Sequence, residues 1–124
     1  MSGPAQNGVL IYSADVGNLS EFYATLFAMR IVRRTDDFNS LEKSGFNLVI
    51  HVPPCDMPSK TFNPIKLFLT VDDMALARDQ AIKLGGQAFD GEWGNPIFKV
   101  SNIADRDGNP IQLRQFNQRS VADQ

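Results

Sequence analysis

Val9-Leu-Ile-Tyr-Ser-Ala-Asp15 is an apolar, strand-like run that ends on an acidic residue, and an apolar helical stripe of Leu19, Phe22, Tyr23 and Leu26 follows. Leu67-Phe-Leu-Thr-Val-Asp-Asp73 repeats this arrangement, with Asp73 placed 58 positions after Asp15 and a stripe of Leu76, Ala77, Ile82 and Leu84 after it. Because an aspartate before a helix accepts hydrogen bonds from its first N–H groups, each run predicts a strand and a capped helix. A duplicated module that cannot close its own core packs against its copy, which favours a cavity at the seam.

The helix starts leave alternatives open. The first helix begins after Asp15, or after Asn18 with Glu21 at the spacing of a capping box. It is predicted to end near Phe27. The second helix begins after Asp72 or Asp73 and ends at the glycine pair 85–86, since glycine tolerates the left-handed conformation beyond a helix.

Strand-like segments after each helix complete two βαβββ modules. In the first half they cover about residues 29–35, 38–43 and 46–52, with Lys43-Ser-Gly45 as a hairpin turn. In the second half they cover about 87–89, 97–104 and 110–115, with Glu92-Trp-Gly-Asn-Pro96 as a loop. The predicted fold class is α+β: a single domain over residues 1–124, with modules at about 8–52 and 65–116 and a linker at 53–64. Its curved mixed sheets enclose a cavity.

Composition excludes several classes of function. The net charge of -2 and the pI near 5.2 argue against nucleic acid, which requires clustered lysine and arginine. Cys55 is the only cysteine, so no intrachain disulfide forms and a reducing compartment is expected. Without a leader pattern or a long apolar run, the sequence predicts a cytoplasmic protein with no membrane partner.

The ordered motifs resemble the vicinal oxygen chelate superfamily, which includes glyoxalase I, bleomycin-resistance proteins and extradiol dioxygenases. The resemblance covers about residues 8–115 and implies paired βαβββ modules around a ligand cavity, often in a homodimer. The segments that carry it are Asp15, Phe22-Tyr23, Val71-Asp-Asp73, Leu84-Gly-Gly86, Trp93-Gly94 and Asp105-Arg-Asp-Gly-Asn-Pro-Ile-Gln-Leu113.

The resemblance also implies where a divalent metal would be held: by a histidine in the first strand of a module and a glutamate in the last. In this chain the histidine positions hold Gly8 and Lys66, while the glutamate positions hold Gln112 and, approximately, Val49. Glycine offers no side-chain ligand, lysine is cationic, and neutral glutamine is a poor substitute for carboxylate. Since His51 is also the sole histidine, we expect no metal and no cofactor.

Strand alternation separates a core face from a cavity face. Val9, Ile11, Leu48 and Ile50 are assigned to the core beneath the first helix, and Leu67, Leu69 and Val71 to the core beneath the second. The cavity face receives the predicted ligand-binding residues, with Trp93 added as a ligand cover or as a plug over the sheet edge. These are Tyr12, Val49, His51, Lys66, Phe68, Thr70, Trp93, Gln112 and Arg114.

Two of these residues are candidates for catalysis. Lys66 would act as a partly desolvated base or anion ligand, although a solvated lysine at a strand start is the more ordinary interpretation. His51 would act as a general base, although a strand-end histidine beside Pro53-Pro54 is the more ordinary interpretation, because no partner carboxylate can be identified. A metal site from His51, Cys55 and Asp56, or Cys55 as a nucleophile, is disfavoured.

The leading hypothesis is a small-molecule-binding member of this superfamily that lacks the usual metal ligands. The alternative is a lyase, isomerase or dioxygenase-like enzyme that uses non-standard acid/base residues or ligands from a partner subunit. A structural module with a filled cavity is the third. The pattern leaves open the identity of the ligand, and whether the cavity forms within one chain or across a swapped dimer.

Overall fold

The computed structural model describes residues 4–54 and 64–117. The chain divides into two compact units, Met1–Leu67 and Phe68–Gln124. The elements in chain order are β1 (Gly8–Tyr12), α1 (Val16–Phe27), β2 (Arg30–Arg34), β3 (Phe38–Lys43), β4 (Phe46–His51), β5 (Ile65–Thr70), α2 (Met74–Lys83), β6 (Gln87–Ala88), β7 (Trp93–Gly94), β8 (Phe98–Ala104) and β9 (Pro110–Phe116). This content confirms the predicted α+β class. The linker prediction for 53–64 lies mostly outside the described residues.

Both helices begin at the predicted aspartates. The Asp15 carboxylate accepts a hydrogen bond from the Asn18 amide at 3.1 Å, and Asp73 accepts one from the Leu76 amide at 3.0 Å. The alternatives at Asn18 and Asp72 are thereby resolved in favour of the two residues of the repeat. Neither helix, within the described part of the chain, has the length and hydropathy needed to cross a membrane.

The helix ends differ by one position from the sequence repeat. Ala28 caps α1 in the left-handed region with φ 56°, whereas the left-handed residue after α2 is Gly85, with φ 97°. The Gly86 amide then donates to the Ala81 carbonyl at 2.8 Å, which closes the last turn of α2. The repeat therefore holds at the helix starts and shifts at the ends.

The strands of the first unit form the order β2-β3-β4-β1, in which β1 and β4 are parallel and the other pairs are antiparallel. Ser44 (φ 52°) and Gly45 (φ 89°) form the two-residue β3–β4 turn, as predicted. The observed order of elements, β1-α1-β2-β3-β4, is the predicted βαβββ module.

The first unit packs one sheet face against α1. Leu41, Leu48 and Ile50 are buried there, and Val9 and Ile11 pack against them as predicted. On the same face, Asn39 donates to the buried Ser20 hydroxyl of α1 at 3.0 Å. Within the predicted helical stripe, Leu19 and Tyr23 join this core, but Phe22 and Leu26 are 54% and 61% exposed.

In the second unit, β8 pairs with β9, β6 and β7, all antiparallel. The β7 pair corrects the prediction of a loop over 92–96, because Trp93 and Gly94 pair with Val100 and Lys99. In the turn before β9, hydrogen bonds from the Asn109 side chain and backbone amide lower the pKa of Asp105. This predicted turn reverses the chain through Gly108, whose φ is 88°.

The second helix rests on small side chains. Met74 is buried beside Ile103 and Leu113, and Ala77 and Ala81 pack against them. The larger residues Leu76, Ile82 and Leu84 of the predicted stripe are exposed. Small contact residues bring α2 close to β6, β8 and β9.

Two of the predicted core residues of β5 are exposed. Leu67 and Leu69 are 45% and 39% exposed, so the prediction that both are buried beneath α2 is wrong. Val71, by contrast, joins the apolar cluster under the helix. Burial does alternate along β5, since Phe68 between the two leucines is fully buried. The leucine face is the more exposed of the two.

Candidate functional site

A row of three rings lies on the face of the first unit opposite α1. The β3–β4 register places Phe38 opposite His51, and the β1–β4 register places Tyr12 beside His51. The Phe38 and His51 rings are stacked at 5.7 Å, and the Tyr12 ring meets His51 edge-on at 6.1 Å. Aromatic pairs at these separations are mutually attractive. We call Tyr12, Phe38 and His51 the aromatic row.

A cation lies at each end of the aromatic row. The Lys66 ammonium is 5.1 Å from the Tyr12 ring centroid, and the Arg33 guanidinium is 5.5 Å from that of Phe38. Cations attract the negative face of an aromatic ring at such distances. Because the row is half-buried rather than buried, a flat molecule with a negative or carbonyl group could contact the rings and a cation together.

The histidine of the row has one nitrogen committed to the backbone. His51 Nδ1 lies 2.8 Å from the Val52 carbonyl oxygen. A carbonyl oxygen only accepts, so Nδ1 carries a proton and Nε2 is the nitrogen that is unprotonated in the neutral ring. Within the described residues Nε2 has no hydrogen-bond partner, which leaves it able to accept a proton or a hydrogen bond from a ligand.

The second unit contains a buried arginine between two rings. The Arg114 guanidinium carbon is 3.9 Å from the Phe68 ring centroid and 4.9 Å from that of Phe98. Its Nε donates to the Gln112 side-chain oxygen at 2.9 Å. Arg114 is 6% exposed and Phe68 is fully buried, and this burial lowers the pKa of Arg114 to about 10.

The remaining predicted residues lie in different environments. Val49 is buried at 6% exposure, Thr70 is half-buried, and Trp93 is 54% exposed with its ring against Gly91. The structure thus brings together Tyr12, His51 and Lys66 in one unit, and Phe68, Gln112 and Arg114 in the other. Cys55 and Asp56 lie outside the described residues.

Two pockets of the described chain lie apart from these residues. One, of about 440 Å³, is on the α1 side of the first unit, and the other, of about 520 Å³, lies between α2 and β8 in the second. In the second pocket, Ser101 accepts from the Arg78 guanidinium and donates to the Gly91 carbonyl at 2.9 Å. No predicted ligand-binding residue lines either of these two pockets.

A family model described as a glyoxalase-like domain matches residues 8–114. The chain belongs to this family. The match places it in the glyoxalase, bleomycin-resistance and dioxygenase group, the vicinal oxygen chelate superfamily, and so confirms the resemblance derived from the motifs. No curated protein matches the sequence significantly.

Solved structures with the glyoxalase-like fold are similar to this chain over nearly its whole length. A structure described as the NAD-dependent benzaldehyde dehydrogenase from Legionella pneumophila matches with a TM-score of 0.69 at 15% identity, covering 90% of this chain and 99% of that one. A superfamily member from Vibrio splendidus 12B01 matches at 0.63 and 12%, covering 90% and 98%. Methylmalonyl-CoA epimerase from Mycobacterium tuberculosis matches at 0.62 and 15%, covering 100% and 97%. At such identities the likeness concerns the fold alone.

The residues at the positions where the resemblance implies a metal do not fit a divalent ion. Gly8 has no ligand atom, and the Lys66 ammonium carries positive charge against the Tyr12 ring. The Gln112 oxygen accepts from Arg114, so a cation bound there would face a guanidinium. Among the described residues, no group of three histidine, cysteine, aspartate or glutamate side chains could hold a metal ion.

Sequence reasoning missed two rings of these clusters, Phe38 and Phe98. The sequence did contain the information that places Phe38. The two-residue turn at Ser44-Gly45 fixes the hairpin register, and counting residue pairs outward from it places Phe38 opposite His51. Phe98 is opposite Phe116 on β9. Its contact with Arg114 is diagonal across two strands, and alternation alone does not specify such a contact.

Proposed function

We propose that this glyoxalase-like protein binds a small, flat, anionic or carbonyl-bearing molecule without a metal ion, and that the aromatic row with Lys66 is the contact surface. The observation that carries the proposal is the half-buried row of Tyr12, Phe38 and His51 beside the Lys66 ammonium. In a small-molecule site, aromatic rings commonly provide stacking area and a few polar or charged groups fix the orientation of the ligand.

Accessibility favours the first unit over the second as the binding surface. Arg114 has comparable chemistry, but it is almost fully buried and lies between Phe68 and Phe98. A ligand would have to displace a ring to reach that guanidinium. Arg114 therefore supports the scaffold in this proposal, while Tyr12, His51 and Lys66 contact the ligand.

The test is a thermal-shift measurement with salicylate and its uncharged analogue salicylamide. A ligand at a hundred times its Kd stabilises the folded state by about 2.7 kcal/mol, so binding raises Tm. We expect salicylate to raise the Tm of the wild type more than salicylamide does, and Lys66→Met to remove the difference. Lys83→Met, which deletes an exposed lysine of α2, is the matched control. An unchanged preference in Lys66→Met would contradict the proposal.

Metal content tests the second half of the proposal. Elemental analysis of protein purified without chelators is expected to find no stoichiometric divalent metal, because the residues at the family positions are Gly8, Lys66 and Gln112. One divalent ion per chain that survives dialysis would overturn the metal-independent assignment.

A second candidate function is proton transfer by His51, which one observation favours. The hydrogen bond of Nδ1 to the Val52 carbonyl fixes the ring and leaves Nε2 as the basic nitrogen, as general-base histidines require. In such a lyase or isomerase, the Lys66 ammonium would stabilise negative charge on the substrate. Once a substrate is found, His51→Gln should abolish turnover while retaining binding; retained turnover would exclude this function.

A further inference from the structure

A second apolar surface of the first unit lies on the α1 side of its sheet, on the face opposite the aromatic row. It is a groove of about 440 Å³, within the usual range of small-molecule sites of about 300–1,000 Å³. Val9, Ile11 and Leu48 form its floor, and Tyr23 and Phe27 of α1 line its wall.

The groove exists because α1 does not cover the whole sheet. The helix packs against β2, β3 and β4, and it ends at Phe27, where Ala28 in the left-handed conformation turns the chain away. The β1 side of the sheet is left less covered. At the edges of the groove, Phe46 and Ile65 are 51% and 50% exposed. Large exposed apolar side chains that line one cavity indicate a binding site.

Among the residues that the structure describes, one charged side chain lines the groove. Lys43 pairs with Phe46 across the two-residue β3–β4 turn, so the hairpin places an ammonium next to an exposed ring. Within residues 4–54 and 64–117, Lys43 takes part in no ion pair, whereas Arg30, Arg34 and Lys99 each pair with a glutamate. An apolar groove with one uncompensated cation is complementary to a molecule that has an apolar body and one negative charge.

We propose that this groove binds an amphipathic alkyl monocarboxylate, with its hydrocarbon chain on Val9, Ile11 and Leu48 and its carboxylate at Lys43. The proposal is independent of the function proposed for the aromatic row. The two sites lie on opposite faces of one sheet and use different lysines, so variants of one leave the other intact.

The test compares octanoate with 1-octanol by isothermal titration calorimetry. The two share the hydrocarbon chain and differ in charge, and an exposed ion pair makes octanoate about two- to fivefold tighter in the wild type. Lys43→Met keeps the apolar stem of the side chain, so octanoate should weaken to the affinity of octanol. Lys83→Met and Lys66→Met should both retain the octanoate preference.

A second variant tests the apolar part of the site. Ile65 is half-exposed at the groove edge, so Ile65→Glu should fold and should weaken octanoate at least fivefold by charge repulsion. Three results would overturn the proposal: equal affinities for octanoate and octanol in the wild type, wild-type octanoate affinity in Lys43→Met, or a dimer that Ile65→Glu dissociates. The last result would assign the groove to a second copy of the chain.

Discussion

Arg114 is at a position predicted to bind a ligand, but its side chain is packed in the interior of its unit. Its side chain is on the face predicted from strand alternation, but Phe68 and Phe98 enclose it. A guanidinium stacks well on aromatic rings because it is planar and weakly hydrated. At the residue scale, then, sequence position predicted the face, and packing decided the accessibility.

This packing role can be separated from the charge by two substitutions. Arg114→Met retains much of the side-chain volume between the rings, and we expect it to lower the free energy of unfolding by less than about 1.5 kcal/mol. Arg114→Ala should leave a cavity between the rings and cost about 2–5 kcal/mol. Urea denaturation of both variants checks this. Equal losses would show that the charge, and not the packing, stabilises the unit.

The two helices show what a repeat preserves at the scale of an element. The N-terminal caps at Asp15 and Asp73 are the same in hydrogen bond and position. The ends differ, because α1 closes on Ala28 and α2 on Gly85 followed by Gly86. A local hydrogen bond explains the shared starts. The positive φ of Gly85 and the close approach of Gly86 to the Ala104 carbonyl of β8 explain the glycine pair.

The glycines of the two helix regions give opposite predictions. Gly17, in the first turn of α1, has open space where a Cβ would lie, so Gly17→Ala should raise the free energy of unfolding by about 0.4–1 kcal/mol. At Gly86 a Cβ would overlap the Ala104 carbonyl oxygen of β8, so Gly86→Ala should lower it by about 1–3 kcal/mol. Urea midpoints measure both. A stabilised Gly86→Ala variant would contradict the close approach seen between these backbones.

At the scale of the whole molecule, much apolar surface remains outside both cores. Phe22 and Leu26 of α1, Leu76 and Ile82 of α2, and Leu84 directly after α2 are all more than half exposed. Exposed apolar side chains on a helix face favour association. They support the homodimer expected from the family resemblance, which we retain as a proposal.

Light scattering coupled to size-exclusion chromatography tests that proposal directly. The chain has a mass of 13.8 kDa, so light scattering should give a molar mass of about twice this value for a homodimer. This mass should not change on dilution if the interface is stable. A mass of one chain at every concentration would exclude the dimer and leave the exposed helix faces as monomer surface.

The sequence by itself determined the element order, the helix starts, the β3–β4 turn and the family. Each depends on local chemistry that neighbouring residues carry: a carboxylate near free amides, a residue with positive φ in a two-residue turn, and the period of two in a strand. It also assigned Val9, Ile11, Leu48 and Ile50 to the face under α1, because alternation specifies a face.

Only the tertiary structure decided which members of each face are reachable. Leu67 and Leu69 have the alternation of core residues but are exposed, and Arg114 has the alternation of a ligand contact but is buried. Tyr12 meets His51 through the parallel β1–β4 pairing, which joins strands far apart in the chain. Burial depends on which distant parts of the chain pack over a face, and the spacing of residues along a strand does not specify that packing.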